Sequence, residues 1–189
     1  MEIKKENVLA AYETARKAGA DSTMKVLEQL FGEETFKPKD ITERVKNFED
    51  AKNELGLEHP YVREWQLGEN LSPDLEAYLK LRIICAALNE GWKPQFTEEE
   101  WRYYPYFWLY TQDEIDNMKA DEKVSRCLRM TGDKYQTEYA GFAYANSAYV
   151  PSAPYATFGS RLCLKSDTLA VYCGKQFIDI WADFFLIRK

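Results

Sequence analysis

The sequence predicts an α+β fold with a helical N-terminal part, a central buried helix, a small antiparallel sheet or hairpin, and a C-terminal amphipathic helix packed on that sheet. Apolar residues recur at helical spacing in the first half of the chain and again after Ser166. Aromatic-rich segments with strand character lie between these regions, around Pro105 and over residues 139–165. A strand followed directly by an amphipathic helix favours packing of that helix on its own sheet.

The chain is long enough, at 189 residues, to bury a core without disulfides or metals. It contains no internal repeat, low-complexity tract or convincing linker, so we expect a single domain over residues 1–189. A weaker division near residue 70 would separate a helical part, 1–70, from an α+β core, 71–189.

The N-terminal part is predicted to contain a helical hairpin and a further helix. The first helix is predicted by apolar residues that repeat at intervals of three and four, namely Val8, Leu9, Tyr12 and Ala15. A second helix is expected over about 22–31, stopped by Gly32. A third helical face ends at Gly56, and two starts remain open because Asp40 and Asn47 each begin a capping-box pattern.

The clearest helix start in the chain follows a loop that contains His59. Ser72 is placed to cap the helix, Pro73 fits its first position, and the charge of Asp74 complements the helix dipole. The helix is predicted over 73–89. Because its apolar stripe is broad, we expect it to be buried on most of its circumference.

The segment "RYYPYFWLY", residues 102–110, places six aromatic rings in nine positions. Pro105 excludes a continuous helix, so a short strand or extended segment is expected over 106–110. Few basic residues accompany these rings, which favours a core over a nucleic-acid platform. We expect the rings, Trp101 and Trp108 included, to form the wall against which helix 73–89 packs.

The stretch "YQTEYAGFAYANSAYVPSAPYATF", residues 135–158, combines tyrosines with small residues and a single charge. Strands are predicted at about 139–145 and 156–165, joined as a hairpin by a long proline-bearing loop. Binding loops have this composition, and the predicted contact residues are Tyr139, Tyr144, Asn146, Tyr149 and Tyr155. An ordinary hairpin whose tyrosines alternate into the core fits equally well, and the sequence does not decide between the two.

The C-terminal helix, capped by Ser166, carries Asp179 and Asp183 one turn apart on one face. With help from elsewhere, such a pair holds a divalent cation, and a small metal-dependent enzyme built on these carboxylates and Arg161 is one hypothesis. The alternative is a solvated polar stripe in which Lys175 pairs with Asp179. We favour the alternative and assign no metal ligand.

Signatures of catalysis are otherwise missing from the sequence. There is no phosphate-binding loop, dinucleotide-binding glycine motif, metalloprotease motif, paired-cysteine motif or nucleophile elbow, and His59 is the only histidine. The four cysteines are widely spaced in apolar surroundings, which is typical of reduced core thiols. We predict no catalytic residue and no cofactor.

The formal net charge of −6 and the isoelectric point near 5.0 argue against non-specific binding to nucleic-acid phosphates. Nucleic-acid binding through Arg102, Arg126 and Arg129 is therefore the weakest of the hypotheses. The N-terminus has no apolar stretch of signal-peptide length, and no window approaches the about 18 apolar residues of a membrane span. We expect cytoplasmic residence and no membrane partner.

The chain contains the segments "EGWKPQF", "RYYPYF", "FGSRLCLKSDTLAVYCGKQFIDIW" and, as a weaker match, "NFEDAKNELG". Together they resemble an uncharacterised family of proteins encoded by phages, prophages and other mobile elements of gut anaerobic bacteria, over roughly residues 41–187. The resemblance implies a phage-like origin and a role in binding or assembly. It implies no activity, cofactor or catalytic residue.

The sequence thus favours a non-enzymatic binding or assembly module that contacts protein or glycan through the tyrosine-rich hairpin. The metal-dependent enzyme and the nucleic-acid-binding protein are the two alternatives.

Overall fold

The structure is a computed structural model that describes residues 3–95, 97, 99–151 and 161–189, with residues 148–151 described for their backbone only. Ten α-helices and three antiparallel strands make up these described residues, which confirms the α+β class. In chain order they are α1 (Lys5–Lys17), α2 (Asp21–Phe31), α3 (Ile41–Arg44), α4 (Phe48–Leu55), α5 (Pro60–Gln66), α6 (Pro73–Leu88), β1 (Trp101–Tyr110), α7 (Gln112–Asn117), α8 (Ala120–Ser125), β2 (Arg129–Met130), β3 (Gly141–Pro151), α9 (Asp167–Gln176) and α10 (Ile178–Phe185).

Contacts between Cα atoms group the chain into two compact units, one ending at Arg44 and the other beginning at Val45. The predictions of a single domain and of a weaker division near residue 70 stay predictions. In the first unit, α1 and α2 pack as the expected helical hairpin. The ring of Tyr12 stacks on Phe36 at 4.1 Å, and its hydroxyl donates a hydrogen bond to Glu28.

Both capping patterns between residues 40 and 50 are used. The Asp40 carboxylate accepts a hydrogen bond from the backbone N–H of Thr42 at the start of α3. Asn47 and Asp50 exchange side-chain and backbone hydrogen bonds at the start of α4. The choice left open by the sequence is therefore resolved as two short helices, each with its own cap.

The central helix α6 is buried as predicted and ends at Leu88. Leu81, Ile83, Ile84 and Leu88 are fully buried. Its main neighbours are α4, α5 and α10, whereas β1 packs chiefly against β3 and α9. The prediction that the aromatic segment forms the wall for α6 is therefore wrong, because α4, α5 and α10 form that wall.

The sheet has the order β1, β3, β2, and both pairings are antiparallel. β1 is longer than predicted, because it begins at Trp101. Pro105 therefore lies within the strand, paired with Ser147. A bulge interrupts the pairing where Tyr106 faces Asn146 and Phe107 faces Tyr144. Proline is tolerated here because β1 is an edge strand, so a missing N–H breaks no ladder on its outer side.

The predicted hairpin between 139–145 and 156–165 is tested only in part. The partner of β3 is β1, and the described end of the second predicted strand contributes one isolated bridge, between Leu164 and Tyr103. Residues 152–160, which carry the rest of that prediction, lie outside the described residues.

Two helical predictions also change. The loop expected around His59 contains α5, which begins at Pro60 and is capped by the His59 ring, whose Nδ1 accepts from the N–H of Tyr61 at 3.2 Å. The single C-terminal helix is two helices that meet at Phe177, where the backbone leaves the helical region. Ser166 caps the first of them, accepting from the N–H of Leu169 as predicted.

Candidate functional site

The aromatic rings of β1 divide between core and solvent along the strand. Tyr104 is buried, whereas Trp101 is 50% exposed, Tyr106 is exposed and Trp108 is 58% exposed. The prediction that Trp101 and Trp108 lie in the core is therefore wrong. The physical reason is that successive side chains of a strand point to opposite faces of the sheet, and from Tyr106 onward no described element covers the face to which Tyr106 and Trp108 point.

Tyr144, a predicted contact residue, belongs to the core and is only 6% exposed. Its ring packs on Gly174 of α9, where an added Cβ would lie 2.8 Å from the ring, and the Lys175 ammonium lies 5.2 Å from the ring centre. Burial raises the pKa of Tyr144 to about 12. A ring that α9 already covers is not open to a partner, so this assignment is corrected.

The other predicted contact residues do not form one surface. Tyr139 and Asn146 are both exposed, but Tyr139 precedes β3 whereas Asn146 pairs with Tyr106 in the sheet. The backbone of Tyr149 pairs with Tyr103, while the side chain of Tyr149 and the whole of Tyr155 lie outside the described residues.

The carboxylates of α10 are occupied by ion pairs. Asp179 pairs with Arg129 at 2.8 Å rather than with Lys175. Asp183 accepts from the hydroxyl of Tyr135 and from Arg188, and it pairs with Lys134 at 2.9 Å. Although burial opposes ionisation, these partners together lower the pKa of Asp183 to about 2.

Both carboxylates are therefore paired with basic side chains. Within the described part of the chain, no group of three or more histidine, cysteine or acidic side chains is placed to hold an ion. The arginines proposed to bind nucleic acid are buried or paired. Arg102 is fully buried, Arg126 pairs with Glu122, and Arg129 pairs with Asp179. They do not combine into an exposed basic patch.

The cysteines are core residues. Cys85, Cys163 and Cys173 are buried and Cys127 is half-buried. Burial is the main cause that raises the pKa of Cys163 to about 11. A thiol becomes nucleophilic when its pKa falls and it is accessible, so these positions are suited to packing.

An apolar cleft lies between β1 and the end of α10. Its volume is about 260 Å³, and it is lined by residues 105–109, Phe142, Phe185 and Leu186. Phe107 anchors it, with its ring stacked on Phe142 at 4.8 Å and 5.6 to 5.7 Å from Trp181 and Phe185. Phe185 is itself part-exposed, so the cleft opens to solvent.

The outer edge of β1 runs along this cleft. Tyr103 exchanges both of its main-chain hydrogen bonds with Leu164, at 3.1 and 2.9 Å, on the side away from β3. Main-chain groups alternate along an antiparallel strand.

The extra residue of the bulge, Ala145, is on β3, so the alternation continues along β1. The N–H of Tyr144, opposite Phe107, accordingly donates to Arg126 and not to β1. The main-chain groups of Phe107 and Leu109 therefore point to the same outer side as those of Tyr103. In the described residues no strand pairs with that side beyond Tyr103.

The sequence predicted neither the cleft nor the open edge. The one signal was the apolar end of the chain, where Phe184 and Phe185 end α10 and Leu186 and Ile187 follow it. That signal marks surplus apolar surface without indicating which strand lies beside it.

Comparisons with protein-family models, curated proteins and solved structures returned no match. None of the helices described here is both long and apolar enough to cross a bilayer.

Proposed function

We propose that this chain is a non-enzymatic binding module that captures an extended segment of a protein partner along the outer edge of β1. The observation that carries the proposal is the outer main-chain edge at Phe107 and Leu109, which pairs with no strand among the described residues and runs beside an apolar cleft. Strand addition uses these two features together: main-chain hydrogen bonds supply affinity and flanking pockets select side chains.

The edge offers a limited length of strand. At one end Tyr103 is already bonded to Leu164, and Pro105 has no N–H to donate. The open groups therefore span residues 105–109, which is enough for a short extended segment but not for a long one. Short edges with a proline are also how proteins avoid uncontrolled edge-to-edge association.

Both faces of an added strand would meet aromatic surface. Alternate side chains of the partner would point toward Phe107 and Phe185 in the cleft, and the others toward the exposed rings of Tyr106 and Trp108. Exposed tryptophan and tyrosine rings are enriched among the residues that dominate binding energy. The partner segment is accordingly extended, with an apolar side chain for the cleft.

Selection of a random heptapeptide display library against the immobilised full chain tests the proposal. The peptides recovered should carry an apolar residue at a fixed position. Leu109→Pro should weaken their binding about tenfold or more, because it removes an outward N–H while leaving the bonds to β3. Leu109→Val keeps that N–H and is the matched control.

Methylation of single backbone nitrogens in a selected peptide gives a second measurement that does not depend on the folding of the variant. Loss of binding at alternate peptide positions supports strand addition. Uniform tolerance of methylation, equal binding to Leu109→Pro and Leu109→Val, or recovery of no peptide overturns it. Sugar binding that Trp108→Ser removes would assign the exposed rings to a glycan instead.

Origin from a phage or other mobile element is part of the proposal, supported by the segment resemblance alone. Residence in the cytoplasm likewise stays a prediction.

A further inference from the structure

A second cavity, of about 430 Å³, lies where the start of α5 meets the end of α6. Two consecutive residues at the end of α6, Glu90 and Gly91, have positive φ, so the chain reverses there and brings Trp92 and Lys93 to the cavity wall. The buried side chain of Asn89 donates to the carbonyl of Cys163 and accepts from the N–H of Lys165. These two bonds fix the segment that follows Arg161.

The cavity is lined by cations. Lys93 and Arg161 both line it, and no ion pair involving either is found in the part of the chain that the structure describes. The described lining contains no carboxylate. Cations near this cavity that do not line it are paired instead: Arg63 with Glu58, and Lys165 with Glu90.

His59 adds a neutral donor to the same wall. Its Nδ1 accepts the hydrogen bond from the N–H of Tyr61, so in the neutral ring the proton resides on Nε2. Burial and the charge of Lys93 lower the pKa of His59. The lining therefore offers an ammonium, a guanidinium and an imidazole N–H.

Apart from the amide of Asn89, which is already bonded within the fold, the rest of the lining is apolar. The rings of Tyr61 and Trp92 contribute to it, together with Pro60 and Pro94. The Arg82 guanidinium lies over the Tyr61 ring, 4.0 Å from its centre, so a ligand meets the other face or the edge of that ring. A cavity of 300 to 1,000 Å³ with few polar groups on an apolar wall is the usual form of a small-ligand site. Cations that form no ion pair with the described residues, lying beside aromatic rings, suit a ligand with both a negative charge and a planar group.

We propose that this cavity binds a small aromatic anion, with its phosphate or carboxylate held by Lys93 and Arg161 and its ring against Trp92 and Tyr61. Arg161 favours an oxyanion, since its planar guanidinium makes two parallel hydrogen bonds to one. The site is independent of the edge of β1. The two proposals therefore stand or fall separately.

Calorimetric titration of the full chain with adenosine 5′-monophosphate and, separately, with indole-3-acetate tests the site. Adenosine, indole and inorganic phosphate are the partial ligands. At least one complete ligand should bind more tightly than either of its halves, and the midpoint of thermal unfolding should rise with its concentration. Binding by both would show that the site accepts phosphate and carboxylate alike.

The variants Lys93→Gln and Arg161→Gln should each weaken the complete ligand about tenfold or more, the loss expected for a charge-assisted hydrogen bond. Arg63→Gln, an exposed arginine of α5 that does not line the cavity, is the matched control and should bind as the unaltered chain does. The folded state of each variant is checked by its own unfolding midpoint.

Failure of both complete ligands to bind overturns the proposal, as does equal binding by the control and by the two lining variants. Binding of inorganic phosphate as tight as that of the nucleotide would overturn the aromatic part. Leu109→Pro should leave all of these titrations unchanged, which keeps this test separate from that of strand addition.

Discussion

β1 and β3 are paired along their length and are both rich in aromatic residues, yet two of their rings lie in opposite environments. Tyr144 of β3 is sealed beneath α9, while Trp108 of the neighbouring β1 stands largely in solvent. Tyr144 shares its face of the sheet with Phe107 of β1, whereas Trp108, which pairs with Ala143, points to the opposite face. The face to which a ring points therefore decides its burial here, and the size of the ring does not.

The largest expected effect separates these two rings directly. Tyr144→Ala should lower the free energy of unfolding by about 3 to 5 kcal/mol, because it leaves a cavity between β3 and α9. Trp108→Ala should change it by no more than about 0.5 kcal/mol. Urea unfolding of both variants measures the difference, and similar losses would show that the two rings are equally packed.

Gly174→Ala tests the close approach that buries Tyr144. The added Cβ would lie 2.6 Å from Cβ of Pro105 and 2.8 Å from the Tyr144 ring, so β1 and β3 must both shift. We expect a loss of about 1 to 3 kcal/mol in the free energy of unfolding, as for other overpacked cores. Thr168→Ala, at an exposed position of the same helix, is the control.

The link between Tyr135 and Asp183 sharpens the comparison, because Tyr135 is another tyrosine of the predicted binding stretch that is instead buried. The pKa of Asp183 is lowered to about 2 from the ordinary 3.8. A lowered pKa stabilises the fold fully above pH 3.8, and this contribution is lost as the pH falls toward 2.

The contribution is on the order of 2 kcal/mol. Asp183→Asn should therefore be less stable at pH 7 and lose less stability than the unaltered chain between pH 5 and pH 2. Asp179→Asn, which removes a more exposed carboxylate of the same helix, is the matched control. Unfolding midpoints across this pH range give the readout, and identical curves for all three proteins would contradict the assignment.

The smallest effect on stability is expected at the open edge. Leu109→Val should leave the free energy of unfolding within about 0.5 kcal/mol of the unaltered chain. Leu109→Pro should cost little more, because β1 already accommodates Pro105. A loss of several kcal/mol for Leu109→Pro would show that its N–H bonds inward, which would remove the open edge.

Local signals predicted the helices well. Ser72 with Pro73 precedes a helix, but the Ser72 side chain makes no capping bond. Asn47 with Asp50 and Ser166 cap helices through side-chain hydrogen bonds, as predicted. Such caps act between residues two to four apart, so a short stretch of sequence contains the whole interaction. His59 was missed as a cap because an imidazole nitrogen rarely takes the place of a hydroxyl or carboxylate.

The candidate sites could not be predicted in this way. The cleft requires Phe185 to pack near Phe107. The cationic cavity requires Arg161 to line the same cavity as Lys93 and His59. Phe107 and Phe185 are 78 positions apart, and Arg161 lies 68 positions from Lys93 and 102 from His59. No local sequence pattern encodes contacts over such separations. Predicting tyrosine contacts from composition failed at Tyr144 for the same reason, since its cover comes from α9.

The class of the fold, the buried central helix and most helix starts follow from the sequence alone, because periodicity and capping are properties of neighbouring residues. The covered aromatic rings, the side of β1 that has no described partner strand and the cations that share a cavity are set by the tertiary structure. They depend on strand order and on contacts between distant segments, since α9 covers one face of both β1 and β3 and leaves Trp108 on the other face.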